Sequence, residues 1–142
     1  MNISARNIFT GTISSVVRGA VNAEVTITLG DGTPITSVVT IGAVDRLGLK
    51  EGMAATAIIK ASSIIVGTNI QDAKLSARNI VCGTVSKVIE GPVSTEVDIE
   101  IGSGDMLSAV ITHGSSTNLG LAAGVQACAI FKASSVIIGI GE

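Results

Sequence analysis

Apolar and polar residues alternate with a period of two along much of the chain. Val21, Ala23, Val25, Ile27 and Leu29 interleave with Asn22, Glu24, Thr26 and Thr28, the pattern of a strand with one buried face. Gly30-Asp31-Gly32 follows as a hairpin turn, because glycine reaches the positive φ angles that such turns need. Ile35 to Ile41 is rich in β-branched residues and reads as the returning strand. Ala43 to Leu49 is the one stretch that suits a helix, ending near Gly52, and Met53 to Lys60 and Ser63 to Gly67 read as two more strands. With one strand before Val21 this makes five strands with a short helix between the third and fourth, the description of an OB-type Greek-key barrel.

The pattern then repeats. Residues 3–67 align with residues 75–139 at a constant offset of 72 without a gap, and about half the aligned positions are identical. The predicted fold class is therefore all-β, two tandem OB-type barrels with one short helix each. The predicted domains span 1–68 and 75–142, joined by a polar linker over 69–74. Identity is concentrated in short blocks. Ser4-Ala5-Arg6-Asn7 returns as Ser76-Ala77-Arg78-Asn79, Gly11-Thr12 as Gly83-Thr84, Leu47-Gly48-Leu49 as Leu119-Gly120-Leu121, and Lys60-Ala61-Ser62-Ser63 as Lys132-Ala133-Ser134-Ser135. Other charges changed freely, Arg18 to Glu90 and Lys50 to Ala122, so the recurring arginine and lysine stand out.

Composition narrows the classes. Hydrophobic residues make up 46 % of the chain but aromatic residues only 1 %, so each core is built from small side chains and each half buries little surface. Oligomerisation is the usual remedy, and a multimer is expected. A net charge of −2 and no Trp or Tyr argue against a nucleic-acid binder, which needs a basic stripe or stacking platforms. Cys82 and Cys128 face Thr10 and Thr56 in the alignment, and a disulfide framework normally recurs with its repeat; both are expected to be buried reduced thiols. The N-terminus lacks the apolar stretch of a signal peptide, and the longest apolar run, Ala54 to Gly67, is interrupted by Lys60 and two serines. These features predict a cytoplasmic protein without a membrane partner.

Catalytic parts are missing from the sequence. His113 is the single histidine, Ile41 takes its place in the first repeat, and it reads as a surface or loop residue. Only Glu24 and Glu96 recur among the acids, so neither acid–base chemistry nor direct metal ligation has a repeated set of groups, and no enzyme is predicted. What recurs is a set of donors: Ser4 and Arg6 with Lys60 and Ser62, and Ser76 and Arg78 with Lys132 and Ser134. Arginine offers a planar fork, lysine a compact charge, and hydroxyls and amides fill the remaining directions around a tetrahedral anion. The same charges also suit strand edges guarded against aggregation, or partners for Glu24. Spacing alone leaves both readings open.

With these blocks in order, twice, the chain resembles the molbindin family of molybdate-binding Mop domains in its two-repeat, di-Mop form. The resemblance covers nearly everything outside the linker. It implies an OB-type fold per repeat, a trimer of two-repeat chains, and molybdate held between subunits, with tungstate also accepted and no cofactor. By that resemblance Ser4, Arg6, Lys60, the Ala61 amide and Ser62 contact one anion, and Ser76, Arg78, Lys132, Ala133 and Ser134 another. Thr40, and in the second repeat Thr112 and Ser115, approach from a neighbouring subunit; Ala43 stands where Ser115 stands, so the sites differ by a hydroxyl. A second class of anion site is implied near the symmetry axis, at the backbone of Ala20-Val21-Asn22 and Pro92-Val93-Ser94. Molybdenum storage, buffering or homeostasis is the implied function. The alternatives are a structural oligomerisation module and a nucleic-acid-binding OB protein.

Overall fold

The computed structural model describes residues 1–141; Glu142, the last residue of the second predicted domain, lies outside the described residues. Each repeat forms five strands and one short α-helix. In the first these are β1 (Asn7–Arg18), β2 (Asn22–Thr28), β3 (Pro34–Thr40), α1 (Ile41–Leu47), β4 (Ala54–Ile59) and β5 (Ile65–Gly67). In the second they are β6 (Asn79–Glu90), β7 (Ser94–Ile101), β8 (Met106–Thr112), α2 (His113–Leu119), β9 (Gln126–Phe131) and β10 (Ile137–Gly139). A single 3-10 turn, Ala61–Ser63 or Ala133–Ser135, precedes each last strand.

The two five-stranded sheets do not follow the repeats to the end. Their orders are β10-β4-β1-β2-β3 and β5-β9-β6-β7-β8, so each repeat lends its last strand to the other's sheet. β10 pairs antiparallel with β4 through Ile137↔Ile58 to Gly139↔Thr56, and β5 pairs with β9 through Ile65↔Ile130 to Gly67↔Cys128. The exchange carries Val136 and Ile138 into the first sheet's core and Ile64 and Val66 into the second's, and the buried residues form one continuous cluster. Two small cores with few large side chains are thereby joined into a bigger one.

Alternation places the core. Ala23, Val25, Ile27 and Leu29 of β2 and its turn are buried, as are Val97, Ile99 and Ile101 of β7. Val21 departs from the expected buried face: it is 73 % exposed, as its counterpart Val93 is 77 % exposed, because both precede the first ladder residue in a tight turn. In that turn Gly19 N–H donates to the Asn22 carbonyl, and Gly91 N–H to that of Ser94. Both long first strands carry a bulge, at Ser14 and at Ser86, which bends them so one strand serves two neighbours. Gly11 and Gly83 are required there, since a Cβ would lie 2.4 Å from the Thr28 carbonyl oxygen or 2.1 Å from that of Glu100.

The helix begins two residues before the expected Ala43 and ends at Leu47, ahead of Gly52. Thr40 caps it, accepting from the Ala43 amide at 3.0 Å, and Gly48 closes it in the left-handed region at φ 63°. At the β2–β3 hairpin tip, the Thr33 hydroxyl and then its amide donate to Asp31 and hold its carboxyl below the usual carboxylate range.

The cysteines overturn the expectation of reduced thiols: Cys82 and Cys128 form a disulfide. They are register partners directly opposite each other on β6 and β9, with Cα atoms 3.9 Å apart. What recurs between the repeats is the cross-strand pairing, not the residue type. Thr10 and Thr56 occupy the matching pair in the first repeat, their hydroxyl oxygens 3.4 Å apart. Nor are they buried as expected: Cys82 is exposed and Cys128 half-buried on the outer face beside the linker.

Candidate functional site

The donor residues predicted from the repeat converge where the two halves meet. Ser4 and Arg6 lie just before β1. Lys60 lies between β4 and the 3-10 turn, which it caps, its carbonyl accepting from the Ser63 amide at 3.0 Å. The opening amides of such a turn have no partner within it. Ser4, Arg6, Lys60, Ala61 and Ser62 together line a cleft of about 720 Å³, floored by Ile58 and Val110 and bordered by Ser134. The second set, Ser76, Arg78, Lys132, Ala133 and Ser134, lines a smaller cleft of about 210 Å³ beside Val38.

The two clefts are built by exchange, as the sheets are. The first repeat's 3-10 turn packs against β8, and the second's against β3. Asn7 and Asn79, identical in sequence and buried, weld this seam. Asn7 donates to the Ser108 carbonyl at 2.8 Å and accepts from the Ser108 amide at 2.7 Å; Asn79 makes the same two bonds to Thr36, both at 2.8 Å. Each asparagine thus acts as a piece of strand, saturating a buried peptide group. In the sequence these asparagines are visible only as part of a recurring block, and their recurrence beside Arg6 and Arg78 is the signal for the seam.

The arginines are not free forks. Arg6 pairs with Glu96, and Arg78 pairs with Glu24 through both terminal nitrogens, the second contact at 3.0 Å. The reading that made the recurring cations partners of Glu24 is therefore met by Arg78, while Arg78 also lines its cleft. Among the described residues no carboxylate lies within 4.0 Å of Lys60 or Lys132.

Thr40, Thr112 and Ser115 stand outside both clefts. Thr40 lies in a depression of about 320 Å³ with Ala43 and Ser134, and Ser115 in one of about 370 Å³ with Ile64 and Asn118. Thr112 caps α2, accepting from the Ser115 amide at 3.1 Å and donating to the Ser115 hydroxyl at 2.8 Å. The turns Ala20-Val21-Asn22 and Pro92-Val93-Ser94 are exposed and belong to the lining of neither cleft. The carbonyls of Val21 and Val93 accept from the amides of Ile41 and His113. His113 does not lie in a loop: it opens α2, half-buried, with Nδ1 lacking a partner. It joins no cluster of metal-binding side chains, and none exists among the described residues.

The TOBE domain family matches residues 3–66 and again residues 75–138. The molybdenum-pterin-binding protein MopA of Rhodobacter capsulatus is 41 % identical over 140 residues, which is 99 % of this chain and 53 % of that protein. The molybdenum transport protein ModE of Azotobacter vinelandii is 41 % identical over 99 % of this chain and 52 % of its own length. The chain thus spans about half the length of these curated relatives. Among solved structures, the cytoplasmic molybdate-binding protein ModG with molybdate bound superposes with a TM-score of 0.96 at 41 % identity, covering 99 % of this chain and 100 % of that one. These relatives are named for binding and transport, not for catalysis. With a match in each half and about nine-tenths of its length covered, the chain belongs to the TOBE-domain family and carries two Mop-like copies of that domain.

Proposed function

We propose that this chain binds molybdate as an intracellular store or buffer, with anions held at the subunit interfaces of a homotrimer. The observation that carries the reading is the convergence of Ser4, Arg6, Lys60, Ala61 and Ser62 on one cleft, and of their counterparts on a second. Molybdate at neutral pH is a tetrahedral dianion with acceptors only, matching a site made of donors. Phosphate brings a proton that would face a donor, at a cost of about 1–3 kcal/mol when buried. Sulfate is smaller, so a rigid cavity sized for molybdate leaves its hydrogen bonds long; tungstate matches and is accepted.

A cleft of about 720 Å³ is far larger than one tetrahedral anion and needs a further wall. The caps Thr40, Thr112 and Ser115, outside the clefts of their own chain, are suited to supply it from a neighbour. Apolar residues exposed at matching places in both repeats, Ile65 with Ile137 and Val21 with Val93, favour burial between copies. The amides of the Val21 and Val93 turns are proposed as the second class of anion site. The description of ModG as cytoplasmic supports a cytoplasmic role, and the acidic, aromatic-poor composition supports one without nucleic acid; no described helix is long and apolar enough to cross a bilayer.

Equilibrium dialysis against molybdate, with excess sulfate and phosphate and the metal counted by elemental analysis, tests the reading alongside native mass spectrometry. Several molybdates per trimer, undisplaced by either competitor, are expected; no selective binding would reduce the donor clusters to structural charges. Arg6→Ala and Lys60→Ala are each expected to lose about 2–4 kcal/mol at the first site, since the first leaves the Glu96 carboxylate unpaired near the dianion and the second removes the cleft's unpaired cation.

A further inference from the structure

Arginine, lysine and one acid are the only charges kept at the same place in both repeats, and the acid has no place in a cage of donors. Glu96 of the second repeat holds Arg6 of the first, and Glu24 of the first holds Arg78 of the second. The carboxylates are the more buried members, with side-chain exposures of 17 % for Glu96 and 31 % for Glu24 against 59 % and 56 % for their arginines. The acid is thus the fixed element and the guanidinium the outer one.

We propose that Glu96 and Glu24 are specificity-determining residues that set the charge of the two anion clefts. The inference rests on the oxyanion-binding reading above. Each cleft holds an arginine and a lysine, but the arginine arrives already neutralised. Lysine, unpaired among the described residues, leaves a net charge of +1 facing a ligand of charge −2. A carboxylate one guanidinium away repels a dianion twice as strongly as a monoanion of the same shape, because the Coulomb energy scales with ligand charge. The glutamates therefore lower affinity for doubly charged anions and narrow the preference over singly charged ones. They also keep the exposed arginines turned toward the clefts, a role that an uncharged acceptor fills equally well. Arg6 commits one terminal nitrogen to Glu96 and keeps a free edge for a two-point grip, whereas Arg78 commits both to Glu24.

Glutamine at these positions preserves shape and hydrogen-bond acceptance while removing the charge. Calorimetric titration of wild type and of the E24Q/E96Q double variant, with molybdate and with perrhenate, a tetrahedral monoanion of similar size, separates charge from positioning. The variant is expected to bind molybdate about tenfold tighter and perrhenate about threefold tighter. Glu24→Asp with Glu96→Asp keeps the charge and is expected to leave the molybdate-to-perrhenate ratio at its wild-type value. An unchanged ratio in the glutamine variant, or a shifted one in the aspartate variant, overturns the proposal. Wild type that binds neither anion overturns the functional reading and this inference with it; wild type that binds molybdate while the ratio stays put overturns the inference alone.

Discussion

α1 and α2 have one backbone and two kinds of underside. Thr40 and Thr112 cap them alike, and Gly48 and Gly120 end them at φ 63° and 64° with ψ 37° in both. α1 and the strand β2 that it contacts carry Ile41, Val44 and Ala23; α2 and β7 carry His113, Ser116 and Thr95 at the same places. Val44 and Ser116 are equally buried at 2 % exposure, yet Thr95 Oγ1 and His113 Nδ1 find no partner. The difference teaches that the caps and the closing glycine specify this helix, not an apolar stripe. A seven-residue helix has too little surface to be held by burial alone. The second repeat carries polar groups where the first carries methyls, and its stability has to come from elsewhere.

The disulfide is the first place to look, and its removal is the largest effect expected. It closes a loop of 46 residues in the unfolded second repeat, for which chain-entropy arguments give about 4 kcal/mol. Cys82→Thr with Cys128→Thr restores the pair the first repeat already uses and keeps the β6–β9 register. Urea unfolding of the oxidised protein and of this double variant should differ by about that amount, while Thr10→Val with Thr56→Val in the first repeat shifts the midpoint far less. Equal losses in both repeats would mean that the cross-strand position matters and the covalent link does not.

The seam asparagines come next. Asn7→Ala strands both the amide and the carbonyl of Ser108, along with a 3.2 Å bond to the Ile59 carbonyl, and is expected to cost about 2–4 kcal/mol. Asn79→Ala strands the corresponding groups of Thr36, without a bond matching that to Ile59, and should cost somewhat less. Thermal melts of the two variants measure the order directly. A reversed order would make the first repeat's seam the weaker one.

These two devices mark the limit of what the chain alone reveals. Period-two alternation located β2 and β3 to within a residue or so, because a ladder with one buried face writes itself into sequence. The donor clusters were equally legible, since Arg6 and Lys60 recur amid charges that do not. Strand exchange was not. Ile65–Gly67 reads identically whether it pairs with β4 or β9, as both edges offer the same apolar face and the choice is one of chain direction after the 3-10 turn. The disulfide was hidden for a related reason: a cross-strand pair is a relation between two strands, and comparing residue types one at a time does not see it. The Arg–Glu pairs were half legible, for the recurrence of Glu24 and Glu96 was visible while their reach across the repeats depended on the fold.

The smallest effect bears most directly on the two helices. Thr95 is fully buried with its hydroxyl unpartnered, in the place of Ala23. Thr95→Val keeps the shape and replaces the hydroxyl by a methyl, which removes a desolvation cost and should stabilise the protein by about 1 kcal/mol. For a chain of this size that is a rise in Tm of about 3–5 °C. Ala23→Thr, the converse change in the first repeat, adds a hydroxyl and a methyl to packed space and should destabilise. If both hold, α2 stands on a frustrated underside that the disulfide offsets, and adding Thr95→Val to the cysteine-free variant recovers part of its loss. If Thr95→Val is instead destabilising, the hydroxyl is favourable where it stands and the polar groups of the second repeat are not a source of frustration.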